Sequence, residues 1–448
     1  MKRLIFILLS LLFFTENTYA VSREIYGTGV LLMERSTGRV IFEQNKNMLI
    51  YPASMIKVLT VLVALEHMNL HEIVVVGDEI NYVPFGSSVA GHFIGEHITA
   101  ENLLYALLLP SGNDTANVVV AHVAYLITGY RMPFPEAEAL FTGLMNELAI
   151  RVGATSSYFT NAHGFHDTRM RVTALDLATI ANYAMDNNII RQVAGTILRE
   201  GMSAIGVDGP TREISWHNTN RLLVSEFHFP YATGLKTGFH TPAGHSFIGT
   251  AINPENGLEF ITVIGGSTTN QRWIDTVYLF EYAFANYSIE TIHIGNNVVI
   301  EVDVKNPRWG DDETIDLFGT SNFSSLLSVS EIQRIGREIY LFDEPFYVTE
   351  NYERLLVAPA YAGQILGEVR YVLDGDVIFV DNIVNRNYIH EWSYLASLEY
   401  VVNFVVENPI SIISLSAYLA IIFFIIIVVS VTSSIIKFRR KRRRRLYR

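Results

Sequence analysis

Residues 51–68 read YPASMIKVLTVLVALEHM. Val58, Leu59, Val61, Leu62, Val63, Ala64 and Leu65 follow almost without a polar break, so the helix expected from Ser54 onward belongs in a core or a membrane. Ser54 and Lys57 stand inside it, and residues at i and i+3 share one helix face. A hydroxyl and an amine therefore come within mutual reach. Serine is a poor nucleophile until a base removes its proton. A lysine held among apolar side chains loses hydration of its charged form, which lowers its pKa and suits it to that task. Spacing alone decides nothing, because the same S-x-x-K recurs from Ser434 to Lys437 beside a long apolar run.

Outward from this helix, YGTGVLLMERSTGRVIFEQN (26–45) gives two strand-like runs around Ser36-Thr37-Gly38, a hairpin pattern. After the helix comes a helical region whose clearest pieces are AENLLYALLLPSGNDTANVVVAHVAYLITG (100–129) and PFPEAEALFTGLMNELAIRVG (133–153). Strands resume at TGLKTGFHTPAGHSFIGTAI (233–252) and LEFITVIGG (258–266), and a last helix covers about Arg272 to Tyr287. Strands at both ends with helices between them suit one sheet covered by helices, an α+β arrangement. From about Ile292 to Ile389 the texture changes to short β-branched runs, which implies a smaller, mainly β domain. The expected boundaries are 21–289 for the first domain, 290–389 for the β domain and 390–409 for an amphipathic linker.

The chain's flanks carry a different message. Residues 1–20 hold Lys2 and Arg3, an apolar run from Leu4 to Phe14, and Thr18-Tyr19-Ala20, the pattern of a signal peptide cut after Ala20. Residues 410–436 contain no charge, and at about 1.5 Å per residue a helix of that length exceeds a hydrocarbon core of roughly 30 Å. The tail that follows, 437–448, has nine Lys or Arg, which places it on the cytoplasmic side of a transmembrane helix. Trp392 and Tyr394, ahead of the span, suit the headgroup level. The chain counts 33 basic and 45 acidic residues; without the two flanks 22 face 44. So acidic a remainder disfavours nucleic acid and anionic surfaces as partners. With no cysteine, disulfides, zinc–thiolate sites and thiol nucleophiles are excluded.

Two further stretches bear on Ser54 and Lys57. LLLPSGNDTAN places Ser111-Gly112-Asn113 after an apolar run, and TGLKTGFHT places Lys236-Thr237-Gly238 on a strand. Each triplet is weak by itself. In this order and on these elements they form a known three-part pattern of penicillin-binding proteins and β-lactamases. The chain resembles the serine-type D-alanyl-D-alanine carboxypeptidases, the low-molecular-mass penicillin-binding proteins. STGRVIFEQN, NAHGFHD followed by TALDLA, HNTNRLL and PAYAGQILGEVRYVLDGDVIF also resemble family segments in the right order.

The resemblance implies a β-lactamase/DD-peptidase-like sheet covered by helices and a defined chemistry. Ser54 would attack the carbonyl between two D-alanines of a peptidoglycan stem peptide, Lys57 would take its proton, and Ser111 would relay a proton to the leaving amine. Asn113 would hold the substrate amide. Lys236 and Thr237 would draw the terminal carboxylate, followed on the strand by Gly238 and Phe239. The backbone N–H groups of Ser54 and Phe239 would form an oxyanion hole. β-Lactam antibiotics would acylate Ser54, and no metal or cofactor is called for; His163-Gly-Phe-His166-Asp167 reads as a loop. Departures are Ile56, where the family commonly has threonine, and Ser267, where some members carry arginine, leaving Arg272 as a carboxylate contact. The rival readings are a β-lactamase, which the added β domain and the absence of a glutamate-bearing deacylation loop disfavour, and a non-catalytic wall-binding protein, which would need neither Ser54 nor Lys57.

Overall fold

The computed structural model describes residues 21–205, 209–308 and 311–395, and beyond them 398–399, 402–403, 417–428 and 430–432. The signal peptide at 1–20 and the basic tail at 437–448 lie outside the described residues, as do parts of the linker and of the 410–436 span. The chain divides into two compact units, one holding residues 21–290 with 325–333 and the other the rest.

In the first unit β1 (Gly29–Glu34) and β2 (Val40–Gln44) form the hairpin read from the sequence. Buried Glu34 fixes its turn by accepting hydrogen bonds from the N–H and hydroxyl groups of Ser36 and Thr37 at 2.5–2.9 Å. A 3₁₀ turn, Ala53–Ile56, then leads into α1 (Lys57–His67). Next come β3 (Ile73–Val75), β4 (Glu96–Thr99), α2 (Ala100–Leu108), α3 (Asn113–Thr128), α4 (Phe134–Arg151), α5 (Ala174–Ala184) and α6 (Asn188–Gly195). The unit continues through β5 (Leu198–Ile205), β6 (Thr211–His217), β7 (Ala232–His240), β8 (Gly244–Ile252), β9 (Glu259–Ser267) and α7 (Gln271–Asn286).

The main sheet has the order β2-β1-β9-β8-β7 and is antiparallel throughout. Both of its faces are covered. Leu31, Ile248, Ile261 and Val263 pack into the core shared with α1 to α6, whereas Val30, Leu32, Phe247, Phe260 and Ile264 pack with Trp273, Leu279 and Phe280 of α7. Alternate residues thus enter two different cores, which is why these strands read as unbroken apolar runs.

Helices alone are expected between residues 100 and 232, but β5 and β6 pair there from Leu198↔His217 to Ala204↔Thr211 and join β3 and β4 in a second sheet. On β6 only Ile214 and Trp216 are buried, while Thr211, Glu213, Ser215 and His217 face solvent. A half-solvated strand this polar carries a faint period of two.

β10 (Tyr287–His293), β11 (Val298–Lys305), β12 (Thr314–Gly319), β13 (Phe323–Ser328) and the short α8 (Val329–Ile332) follow, then β14 (Gly336–Leu341), β15 (Phe346–Val348), β16 (Arg354–Val357), β17 (Ile365–Leu373) and β18 (Asp376–Val384). The second unit is built on a seven-stranded sheet, β14-β17-β18-β12-β11-β16-β15, with Leu317, Leu356, Leu366, Val369 and Ile383 at its core. Residues 325–333, inside the expected 290–389 range, group instead with the first unit. Leu326 joins that unit's core, and Arg39 donates to the Leu326 carbonyl at 2.6 Å and pairs with Glu331.

Among the described residues no helix is long and apolar enough to cross a membrane. Residues 417–428 are helical with exposed apolar side chains, and Trp392 and Tyr394 are exposed as well.

Candidate active site

Ser54 does not sit within α1, as expected, but in the 3₁₀ turn that precedes it. In that tighter winding residues i and i+3 eclipse one another, and Lys57 Nζ lies 2.9 Å from Ser54 Oγ. The turn is wedged between two close backbone approaches. Gly238 of β7 faces it so closely that a Cβ would lie 2.9 Å from the Pro52 carbonyl oxygen and 3.1 Å from Met55 Cγ. Gly164, at φ +80°, leaves room on the other side, where a Cβ would fall 2.0 Å from the Ala53 carbonyl oxygen. Glycine is therefore required at both positions for Ser54 to be held where it is.

Ser111 lies between α2 and α3 with φ 66°, a left-handed conformation that non-glycine residues hold only when their surroundings enforce it. The enforcement is visible: Gly112 N–H donates to the Ala106 carbonyl at 3.0 Å and Asn113 N–H to the Ser88 carbonyl at 2.8 Å. Asp114 anchors the facing loop by accepting from the N–H groups of Ala90, Gly91 and His92 at 2.8–3.0 Å.

Lys57 Nζ is fully buried and faces four oxygens: Asn113 Oδ1 at 2.5 Å, Ser54 Oγ at 2.9 Å, the His163 carbonyl at 3.0 Å and Ser111 Oγ at 3.3 Å. Two of these, the amide oxygen and the carbonyl, can only accept. A neutral amine has two hydrogens to satisfy them and one lone pair left for a serine hydroxyl. Burial first, and the charge of Lys236 second, hold the Lys57 pKa well below 10.5, against a smaller opposing pull from Asp114. Lys236 is likewise buried, and desolvation, then Arg272, bring its pKa to about 7. It donates to the carbonyl and hydroxyl of its neighbour Thr237 at 3.2 and 3.3 Å. Desolvation, then Lys57, lowers His163 to about 3, so that imidazole is neutral.

The structure thus brings Ser54, Lys57, Ser111 and Asn113 into one cluster and sets Lys236, Thr237 and Gly238 on the facing edge strand. Phe239 extends outward, more than half exposed, and stacks on His245 with ring centroids 4.1 Å apart. Arg272 does not point freely into the cleft: its guanidinium lies over the Trp273 ring and donates to the carbonyls of Gly238 and Ser246 at 3.3 and 3.2 Å. Sequence reasoning missed the His163 carbonyl and Thr219, whose hydroxyl lies 2.8 Å from that of Thr237. A backbone carbonyl leaves no trace in residue identity, although NAHGFHD and HNTNRLL were both visible as segments. Among the described residues no group of three or more His, Asp or Glu could hold a metal ion.

The chain is similar to known D-alanyl-D-alanine carboxypeptidases. A family model described as D-alanyl-D-alanine carboxypeptidase, Peptidase S11, matches residues 16–269. The D-alanyl-D-alanine carboxypeptidase DacF of Bacillus subtilis is 28% identical over 358 residues, 78% of this chain and 82% of that protein. The Streptomyces K15 DD-transpeptidase structure superposes with a TM-score of 0.54 at 27% identity, covering 59% of this chain and 98% of that one. Penicillin binding protein 5 of Haemophilus influenzae, at 22% identity, shares the fold with a TM-score of 0.57 over 82% of this chain and 99% of its own.

Proposed function

The chain belongs to the D-alanyl-D-alanine carboxypeptidase family, a family of serine-type hydrolases, and from this we propose that Ser54 is the nucleophile that removes the terminal D-alanine from peptidoglycan stem peptides. Lys57, neutral in its buried site, takes the Ser54 proton as the hydroxyl attacks the carbonyl between the two D-alanines. The oxyanion is stabilised by the N–H groups of Ser54 and Phe239. Ser111, 3.3 Å from Lys57, relays the proton to the departing D-alanine amine. Water then adds to the ester, and as the bond to Ser54 Oγ breaks its proton passes through Ser111 and Lys57 to that oxygen, which restores the hydroxyl and the neutral amine. Lys236 and Thr237 receive the terminal carboxylate. β7 is the edge of its sheet, the position at which an extended peptide adds as a further strand.

The observation that carries this reading is the 2.9 Å contact between Ser54 Oγ and a fully buried Lys57 amine. A β-lactam mimics the D-Ala-D-Ala terminus and acylates the same oxygen. The test is D-alanine release from a pentapeptide stem, with the penicillin adduct located by peptide mass spectrometry. Release together with an adduct on the Ser54 peptide supports the assignment; an adduct that persists in Ser54→Ala removes it.

The same reading extends to export after cleavage at Ala20 and to tethering by residues 410–436, with the basic tail 437–448 in the cytoplasm and the catalytic unit outside the cell membrane. What supports it is the uncharged run, the nine basic residues behind it and the apolar helical stretch 417–428. Protease accessibility of each terminus in intact cells against lysed cells tests it. A tail cleaved in intact cells contradicts it.

A further inference from the structure

Thr219 lies in the segment Asn218-Thr219-Asn220 between β6 and β7. The segment is held on both sides. Asn218 Nδ2 donates to the carbonyls of Ala194 and Thr196 at 2.9 and 2.8 Å, and Asn220 is 1% exposed with its Oδ1 accepting from Leu222 N–H at 3.0 Å. Thr219 N–H donates to the carbonyl of Leu109, two residues before Ser111, at 3.1 Å. Its side chain is exposed, yet its hydroxyl sits 2.8 Å from Thr237 Oγ1. Thr219 thus bridges the Ser111 loop and the Lys236 strand.

The hydroxyl of Thr237 has one proton and two lone pairs. Lys236 Nζ, at 3.3 Å, occupies one lone pair. If Thr219 donates into the other, the Thr237 proton is left with one direction, outward into the cleft. Resting on the function proposed above, we propose that Thr219 is a specificity-determining residue: by donating to Thr237 it makes that hydroxyl an obligate donor beside Lys236, so that the two oxygens of a free carboxylate meet two donors whereas a terminal carboxamide, with one oxygen and an NH2, leaves one of them without an acceptor. Donation from Thr219 also polarises the Thr237 O–H, and hydrogen bonds to a charged acceptor gain most from such chains.

The test compares D-alanyl peptides of one sequence ending in carboxylate or carboxamide, using the full chain and its Thr219→Val, Thr219→Ser, Thr237→Val and Thr219→Val/Thr237→Val variants. In Thr219→Val, kcat/KM for the carboxylate substrate should fall about tenfold, mostly in KM, while the carboxamide substrate changes by less than about twofold. Thr219→Ser should restore the preference, and the double variant should be no worse than Thr237→Val alone. Equal losses on both substrates, or an unchanged ratio, would overturn the role of Thr219 while leaving the carboxypeptidase reading intact. A wild-type chain that releases neither D-alanine from the carboxylate substrate nor D-alaninamide from the carboxamide substrate overturns that reading, and the assignment of Thr219 with it.

Discussion

Around Asp381, in the second unit, donors converge on one buried carboxylate; around Lys57, in the first, a buried amine faces oxygens and, among the described residues, no ion-pair partner. Asp381 accepts from the N–H groups of Thr320 and Ser321 at 2.7 and 3.0 Å and from both their hydroxyls, with His293 Nε2 at 2.9 Å. Despite desolvation, these hydrogen bonds hold its pKa far below the usual carboxylate range. Lys57 is driven the other way, toward its neutral form, by burial and by a second lysine. The difference separates structure from chemistry. A charge met by enough donors locks a fold, whereas a charge desolvated without a counterion becomes a base.

The comparison can be broken most sharply at Lys57. Lys57→Met fills the same space without an amine, so penicillin acylation of Ser54 should drop by about 10³-fold. The thermal midpoint should move less than in Asp381→Ala, since relief of a buried ionisable group offsets the donors that Asn113 Oδ1 and the His163 carbonyl lose. Stopped-flow acylation beside calorimetry checks both; normal acylation would mean another group is the base. Asp381→Ala should do the reverse. Two backbone N–H groups and two hydroxyls lose their acceptor, so unfolding should become easier by about 3–5 kcal/mol, while acylation by the folded fraction stays within about twofold of wild type.

The two clusters also respond to pH in different windows. Lys236 has a folded pKa of about 7, against 10.5 for an ordinary solvated lysine. The unfolded chain therefore binds the extra proton between those values, and this group's contribution to stability rises with pH across that window and is flat below about 7. Asp381 has a depressed pKa, so its contribution is full above 3.8 and is lost as pH falls. Thermal midpoints against pH for wild type, Lys236→Met and Asp381→Asn should flatten the alkaline limb in the first variant and the acid limb in the second. The smallest effect is expected at Lys236→Arg. It keeps the charge but not the ammonium geometry, and should weaken acylation less than Lys236→Ala, by about tenfold in the acylation rate.

Much of this was legible in the sequence because side chains carry it. Ser54 with Lys57, Ser111 with Asn113, and Lys236 with Thr237 stand out by type and order, and the two-faced burial of β1, β8 and β9 shows as apolar runs. What was illegible belongs to the backbone or to weak periods. The His163 carbonyl accepts from Lys57 through an atom every residue has. The β5–β6 hairpin buries too few apolar side chains on β6 to declare itself. Gly164 reads as part of a loop and Gly238 as a strand residue, and neither shows what it presses against until the fold is seen.

The central claim is that Lys57 is neutral because it is buried beside Lys236, and an NMR titration of its labelled Cε and Nζ tests that directly. The amine should titrate well below 10.5, and Lys236→Ala should raise its pKa by removing the neighbouring charge. A Lys57 that titrates near 10.5, or one indifferent to the loss of Lys236, would contradict it.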